Sequence, residues 1–171
     1  MEDEVSRALR EALSRLTPSR WEGVVYRFVP EGVSPLEPNL RGARWNPPRI
    51  PALYTSLERE TLRAEHAHRL ALDQRRPTSP YVMRTLRVRL QSVIDVTAPT
   101  ALRALGLTPA VLTEEPPGLT KEIGRAIHLM EHDGLLAPSA RATGVNLVVF
   151  IGRIRGGLIE VLPETEILAG E

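Results

Sequence analysis

With 171 residues, the chain is long enough for one domain with a sizeable core, and its 42% hydrophobic and 25% charged residues exclude a disordered protein. The 22 basic and 21 acidic side chains leave a net charge of +1, which excludes a general electrostatic attraction to nucleic acid or to an anionic membrane. Cysteine is absent, which excludes disulfides, thiolate nucleophiles and cysteine-based zinc sites, and we expect a cytoplasmic protein.

The first predicted element is an amphipathic helix, because apolar residues recur at helical spacing between positions 5 and 16 behind an acidic first turn. Pro18 ends this pattern. We therefore expect residues 1–20 to form an N-terminal helical extension and residues 21–171 to form the main domain. From the acidic start we expect no signal peptide.

The next segments predict a strand, a long loop and a second helix. Residues 24–28 have strand composition, and the proline-rich stretch after them, up to residue 51, predicts a surface loop of the kind that often carries function. Ser56 is a suitable N-cap for a helix that runs to about Leu72, and the segment Arg75-Arg76-Pro77 should end it.

The second half of the chain predicts a mixture of strands and helices. Because these elements do not alternate as a regular βαβ series, we predict a single α+β domain with a mixed β-sheet core and flanking helices. The longest apolar run, residues 147–151, is far too short to cross a bilayer. The predicted elements are a strand at 86–90 continued at 93–96, short helices at 99–112 around Gly106, a helix from Leu119 ended by Gly134, and strands at 146–151 and 158–162 joined through Gly156-Gly157.

Three residue types before position 66 suit an anionic, aromatic ligand. Arg44 lies in an Arg-Trp-Asn turn, Tyr54 lies in a short strand, and Glu65 lies on a helix among apolar neighbours. A guanidinium can bind phosphate with two parallel hydrogen bonds, a tyrosine can stack on a ring, and a carboxylate can oppose positive charge that develops at a sugar carbon. We interpret these residues as half of a nucleotide site.

Each of these residues also has an ordinary structural explanation. Arg27, in the first strand, can point to solvent or into a cleft. Glu65 can be a boundary carboxylate paired with Arg69 four residues on, and Tyr54 can be a buried strand residue. Ser139 can be a turn residue or a helix cap, although residues 134–141 place compact polar groups in a loop just before an apolar strand.

Taken together and in order, these motifs resemble the RES domain family. The resemblance covers most of the chain from about residue 24 to residue 162. That family takes its name from an arginine, a glutamate and a serine, which here would be Arg27, Glu65 and Ser139. The segments that carry the resemblance are Tyr26-Arg27, Gly42-Ala43-Arg44-Trp45-Asn46, Leu53-Tyr54-Thr55-Ser56, Glu65, residues 134–141, and Asn146.

The resemblance implies a fold similar to ADP-ribosyltransferases and a toxin of a bacterial type II toxin–antitoxin system that consumes NAD. The main domain, residues 21–171, would then be catalytic and would form a hetero-oligomer with a cognate antitoxin that carries an Xre-like helix-turn-helix domain. NAD would be a substrate rather than a cofactor, and members of the family differ in whether phosphate, water or a protein receives the ADP-ribose.

Residue types suggest a division of roles within such a site. Arg27 and Arg44 would bind phosphate oxygens, Tyr54 would stack on or flank the nicotinamide, and Glu65 would contact the ribose and oppose the developing cation. Ser139 would orient the ligand by hydrogen bonding. Residues expected to assist substrate binding are Tyr26, Trp45, Asn46, Arg141 and Asn146. No metal is required by this chemistry.

Other functions stay open at this point. His128 and His132 fit the zinc-peptidase pattern H-x-x-E-H on a predicted helix, whereas His66 and His68 diverge around theirs. A domain that binds a nucleotide or a partner without turnover is a further alternative. The absence of Gly-x-Gly-x-x-Gly argues against a Rossmann dehydrogenase, and the dispersed basic residues argue against direct nucleic-acid binding by this chain.

Overall fold

The computed structural model describes residues 2–73, 79–154 and 157–167. They form one mixed α+β domain in which a six-stranded sheet is flanked by helices. In chain order the elements are α1 (Glu2–Ser14), β1 (Ser19–Pro30), β2 (Leu53–Ser56), α2 (Arg59–Leu72), β3 (Tyr81–Asp95), α3 (Pro99–Ala104), α4 (Pro109–Thr113), α5 (Leu119–Leu129), β4 (Gly134–Pro138), β5 (Val145–Val149), a 3-10 turn (Ile151–Arg153) and β6 (Leu158–Ile167).

The strand order is β1-β2-β5-β4-β3-β6, and β1 also pairs with β3, so five strands are linked in a closed circuit. All pairings are antiparallel except that of β3 with β4. A parallel pair needs a crossover connection, which is here the helical segment α3 to α5. The strand that leads to Ser139 therefore lies inside the sheet, between β3 and β5.

Both faces of the central strands are buried. Successive side chains of a strand point to opposite faces, and on β5 both sets of side chains lie in a core cluster. Leu147 and Val149 pack in a cluster that the strands share with Val25, whereas Val148 and Phe150 pack in a second cluster beneath the helices. This explains why residues 147–151 form a continuous apolar run rather than an alternating pattern.

Helix α1 packs into the second cluster through Leu9 and Leu13, of which Leu13 is only 1% exposed. Its neighbours there include Ile123 and Ile127 of α5. The predicted boundary at residue 20 falls within β1. The division into an extension and a catalytic domain therefore stays a prediction, although α1 contributes to the same core as the sheet.

Two predicted helix ends are wrong. Ser56 does not cap α2: it is the last residue of β2, pairs with Asn146 of β5, and leaves Glu58 as the N-cap. Gly134 does not end α5, because that helix ends at Leu129 and Gly134 begins β4. The glycine instead allows β4 to approach β5 closely, since a Cβ atom at Gly134 would lie 2.3 Å from the Val148 carbonyl oxygen.

The strands are longer than the sequence pattern predicted. Strands β1, β3 and β6 each extend beyond the apolar alternation because long antiparallel ladders join β1 to β3 and β3 to β6. Strand β5 ends at Val149, and a 3-10 turn replaces the predicted end of that strand. The two short helices around Gly106 are confirmed. The predicted breaks at residues 75–77 and at Gly156 lie outside the described residues.

A small third cluster seats α2 on β1 and β3, and His66 lies inside it. Its ring packs between Phe28 and Tyr81, each with a centroid separation of 4.5 Å, and within the described residues neither ring nitrogen has a hydrogen-bond partner. Burial, assisted by the nearby Arg69, lowers the pKa of His66 to about 4. The histidine is therefore neutral in the folded chain near pH 7.

This buried histidine predicts a loss of stability in weak acid. Between pH 6.5 and 4 the unfolded chain binds a proton at His66 that the folded chain does not, so the free energy of unfolding should fall as the pH falls, by at most about 3 kcal/mol from this group. Urea unfolding at pH 7.5, 6 and 4.5 should show a smaller loss for His66→Leu than for the unsubstituted chain. At pH 7.5 the difference in free energy of unfolding between the two chains reports only the change in packing. Identical pH dependence in both chains would contradict the expectation.

Among the helices that the structure describes, none combines the length and the apolar character needed to cross a bilayer.

Candidate active site

A cleft of about 650 Å³ opens between β1, β2, α2 and the segments before α5, which is within the range typical of small-molecule sites. The cleft is rich in charge of both signs. Its acidic lining residues are Glu37, Glu65 and Glu115, and its basic lining residues are Arg27, Arg44, Arg69, Lys121 and Arg141. A ligand with several anionic groups and one cationic centre matches this distribution.

Glu65 lies on α2 at the cleft wall and is held by two neutral donors. The Ser139 hydroxyl donates to its Oε1 at 2.6 Å, and the Asn146 side-chain amide donates to the same oxygen at 3.0 Å. Because neither donor is charged, they fix the carboxylate without neutralising it. The hydrogen-bond partners of Glu65 are therefore Ser139 and Asn146, which lie 74 and 81 positions further along the chain, and not the nearby Arg69.

The two donors are themselves fixed by further hydrogen bonds. The Ser139 oxygen accepts from the backbone N–H groups of Arg141 and Ala142, both at 3.1 Å, which leaves its own proton for Glu65. The Asn146 Oδ1 atom accepts from the Ser56 hydroxyl at 2.7 Å, which directs the amide nitrogen toward Glu65. Ser139 is not among the residues that line the cleft, and its hydroxyl contacts Glu65; its predicted contact with a ligand stays a prediction.

Arg27 is a half-buried cation with unused donors. It follows Val25 on the same face of β1 and lines the cleft. Its Nη2 donates to the Glu37 carbonyl oxygen at 2.5 Å, whereas Nε and Nη1 are buried and, in the described part of the chain, have no partner. Burial and repulsion from Arg69 lower its pKa to about 10, partly opposed by Glu37. The guanidinium stays charged at neutral pH and has donors available for an anion.

Tyr54 links β2 to the Arg-Trp-Asn turn. Its hydroxyl accepts from the Trp45 N–H at 2.9 Å and donates to Asn46 Oδ1 at 2.6 Å, and burial raises its pKa. Asn46 also donates to the Ile50 carbonyl oxygen at 2.8 Å. The tyrosine thus fixes the turn that presents Arg44, while the residue itself contributes to the cleft wall.

Three residues expected to bind substrate do not line the cleft. Trp45 is 2% exposed and belongs to the core beneath the helices, and Asn46 is fully buried in the hydrogen bonds of its turn. Tyr26 packs beside α2, and the Arg59 guanidinium lies 4.7 Å from its ring centroid. In the folded chain Trp45 and Asn46 support the turn and Tyr26 packs beside α2, and a direct contact of these residues with substrate stays a prediction. Arg44, Arg141 and Asn146 do line the cleft.

Glu115, which the sequence pattern does not single out, contacts two of the predicted site residues. Glu115 Oε1 lies 2.6 Å from Arg44 Nη2 and 3.2 Å from Arg141 Nη2. It follows α4 in a Glu-Glu-Pro-Pro segment whose composition predicts only a turn. His68, Arg69 and Lys121 were also missed as cleft residues, although one helical turn separates Glu65 from both His68 and Arg69.

The zinc alternative loses its structural basis. Because α5 ends at Leu129, His128 and His132 are not presented on one helical face, and Glu131 between them has a φ of 66°. His128 packs on the Phe150 ring at 5.4 Å, and His132 Nδ1 lies 2.7 Å from the Ser92 hydroxyl oxygen. Within the described residues, no cluster of three or more acidic or histidine side chains could hold a metal ion.

The class of protein is shown by its family: the chain belongs to the RES domain family, whose model matches residues 12–165. The predicted resemblance is therefore confirmed. The chain is similar to the NAD(+) phosphorylase MbcT of Mycobacterium bovis and of Mycobacterium tuberculosis, being 24% identical over 169 residues that cover 94% of this chain and 91% of each relative.

A solved structure shares the fold. The crystal structure of the M. tuberculosis MbcT–MbcA toxin–antitoxin complex contains a chain that superposes on this one with a TM-score of 0.81 and 24% sequence identity. The superposition covers 96% of this chain and 93% of the other.

Proposed function

We propose that this chain is the toxin component of a type II toxin–antitoxin system and depletes NAD by cleaving the bond between nicotinamide and ribose. The observation that carries the proposal is the Glu65 carboxylate, held by Ser139 and Asn146 in a cleft that also contains the partly unpaired Arg27. Membership of the RES family and the names of the two relatives support the choice of NAD.

Binding would begin with the pyrophosphate. Arg27 has unused donors at one part of the cleft, and the turn fixed by Tyr54 presents Arg44 at another. Bidentate contacts from these guanidiniums would hold the dinucleotide in one orientation, which removes orientational freedom before the chemical step. The aromatic ring of Tyr54 would flank the nicotinamide.

The chemical step breaks the bond between nicotinamide N1 and ribose C1′. The bonding electron pair leaves with nicotinamide and neutralises its pyridinium charge, so positive charge develops on the ribose. Glu65 would hydrogen-bond a ribose hydroxyl and stabilise this charge electrostatically. Because Ser139 and Asn146 already hold the carboxylate, little reorganisation is needed when the charge appears.

An oxygen nucleophile then forms the new bond to C1′. Inorganic phosphate would give ADP-ribose 1-phosphate, whereas water would give ADP-ribose and release one proton. The name of the two relatives favours phosphate, and the basic lining of the cleft suits a phosphate co-substrate. Transfer to a protein side chain is the second candidate, since the cleft is open to solvent and the three acceptors attack the same carbon.

The proposal also covers the fold relationship, the domain division, the location and the partner of the chain. The fold would be related to ADP-ribosyltransferases, and residues 21–171 would form the catalytic domain behind the helical extension 1–20. The chain would act in the cytoplasm and form a hetero-oligomer with an antitoxin, in line with the toxin–antitoxin complex of MbcT and MbcA. This antitoxin would carry an Xre-like helix-turn-helix domain. The antitoxin, rather than this chain, would contact DNA.

The deciding experiment is product analysis with the purified chain. Any co-purified partner is first removed by unfolding the complex, and the chain is then refolded alone. NAD is incubated with and without inorganic phosphate, and the products are identified by mass spectrometry. We expect nicotinamide release, with ADP-ribose 1-phosphate as the second product when phosphate is present. Nicotinamide release with a labelled protein would favour transferase activity. Tight NAD binding without nicotinamide release would instead identify a non-catalytic nucleotide-binding domain.

A further inference from the structure

A carboxylate of the chain's own sequence lies between two arginines of the cleft. One oxygen of Glu115 contacts Arg44 at 2.6 Å and Arg141 at 3.2 Å, and the Glu114 carbonyl oxygen accepts from Arg44 Nη1 at 3.0 Å. Residues 114 and 115 thus provide one formal negative charge and a dipole to two guanidiniums. A phosphate group offers the same combination of oxygen acceptors and negative charge.

The two arginines are better fixed than the carboxylate between them. Their side chains are 16% and 19% exposed, whereas the Glu115 side chain is 47% exposed. Arg44 lies in the turn whose Trp45 N–H donates to the Tyr54 hydroxyl. The backbone N–H of Arg141 donates to the Ser139 hydroxyl oxygen. Glu115 lies on the connection between α4 and α5, outside regular structure. If one partner of this cluster moves away, it is the glutamate.

The energetics also favour exchange. Because the Glu115 side chain is 47% exposed, its ion pairs with the arginines contribute little net stability, and their loss is readily offset when a better anion takes their place. Two guanidiniums that share one carboxylate oxygen retain an excess positive charge. An inorganic phosphate dianion, or the two charges of a pyrophosphate, would neutralise it more fully. Each guanidinium can also form two parallel hydrogen bonds with phosphate, which a shared single oxygen does not allow.

We propose that Arg44 and Arg141 form a phosphate subsite and that Glu115 is its built-in competitor, which must leave before the phosphate group binds. The proposal deepens the proposed function and rests on it for the identity of the ligand: the group is either a phosphate of the NAD pyrophosphate or the inorganic phosphate co-substrate. Glu115 thereby raises the anion concentration at which the cleft becomes occupied.

The test measures binding without turnover. ADP-ribose and inorganic phosphate are titrated separately, by calorimetry, into the unsubstituted chain, Glu115→Gln, Glu115→Ala and the neighbouring control Glu114→Gln. Both Glu115 variants should bind at least one probe about 5-fold to 10-fold more tightly, whereas the control should resemble the unsubstituted chain. A gain for ADP-ribose alone assigns the subsite to the pyrophosphate, and a gain for inorganic phosphate alone assigns it to the co-substrate.

A double variant shows whether the gain depends on the arginine pair. Adding Arg141→Gln to Glu115→Gln should abolish the tighter binding. Unchanged or weaker binding of both probes in both Glu115 variants would overturn the proposal, because it would show that the carboxylate only positions the arginines. Since no catalysis is measured, a gain in affinity supports the subsite even if the chain does not cleave NAD, and failure of the two proposals is distinguishable.

Discussion

Replacing Glu65 with glutamine should lower kcat for NAD cleavage by on the order of 10²–10³-fold, with a much smaller change in NAD affinity. The amide keeps the size of the carboxylate but loses the negative charge that would oppose the cation on the ribose. Contacts of the arginines with the pyrophosphate are unaffected, so most ground-state binding should remain. Steady-state kinetics, together with calorimetric binding of ADP-ribose, separates the two effects.

Glu60→Gln is the matched control for this change. Glu60 lies on the same helix but is exposed and does not line the cleft. It should leave kcat within about 2-fold of the unsubstituted value, as expected of a surface change away from the reacting atoms. If Glu65→Gln and Glu60→Gln were equally active, Glu65 would not be the residue that stabilises the developing charge.

Gly124→Ala should destabilise the folded chain by about 3 kcal/mol or more, because overpacking against rigid backbone leaves little room for adjustment. A Cβ atom at this position would lie 1.7 Å from the Trp45 carbonyl oxygen, so α5 and the Arg-Trp-Asn turn would have to separate. The same displacement would move Arg44, which immediately precedes Trp45. Urea unfolding gives the stability, and ADP-ribose titration of the remaining folded protein reports on the arginine.

Gly152→Ala is the control for added volume, since no heavy atom lies within 4 Å of a Cβ built at that position. Its free energy of unfolding should stay within about 0.5 kcal/mol of the unsubstituted value. Equal stability of the two alanine variants would show that α5 does not need the close approach at Gly124. The difference in free energy of unfolding between Gly124→Ala and Gly152→Ala therefore tests whether the packing of α5 against the Arg-Trp-Asn turn supports the candidate site.

Local pattern was enough to predict much of the fold. Helical spacing located α5, the proline and glycine positions separated α3 from α4, and the family motifs pointed to Arg27, Glu65 and Ser139. The errors arose where tertiary contacts decide the outcome. Ser56 has the chemistry of a helix cap but pairs with β5, and Gly134 resembles a helix end but serves the close approach of β4 to β5.

The site shows the same limit. A turn of Arg-Trp-Asn indicates a ligand contact, but its sequence does not show that only Arg44 faces the cleft while Trp45 and Asn46 are buried. Glu115 could not be identified from its own segment, because its role depends on Arg44 and Arg141, which are 71 and 26 residues away. Residue chemistry predicted which groups are needed, and the fold determined which ones meet.

The placement of β4 between β3 and β5 has a consequence for how the protein matures. Contacts between residues far apart in the chain close slowly, because long loops lose much conformational entropy before those contacts form. The hydrogen bonds that hold Glu65 span 74 and 81 residues, and both depend on strands that enter the sheet through the parallel crossover. Under the proposed function, a chain with only its local helices and hairpins in place would lack the positioned Glu65 carboxylate that NAD cleavage needs.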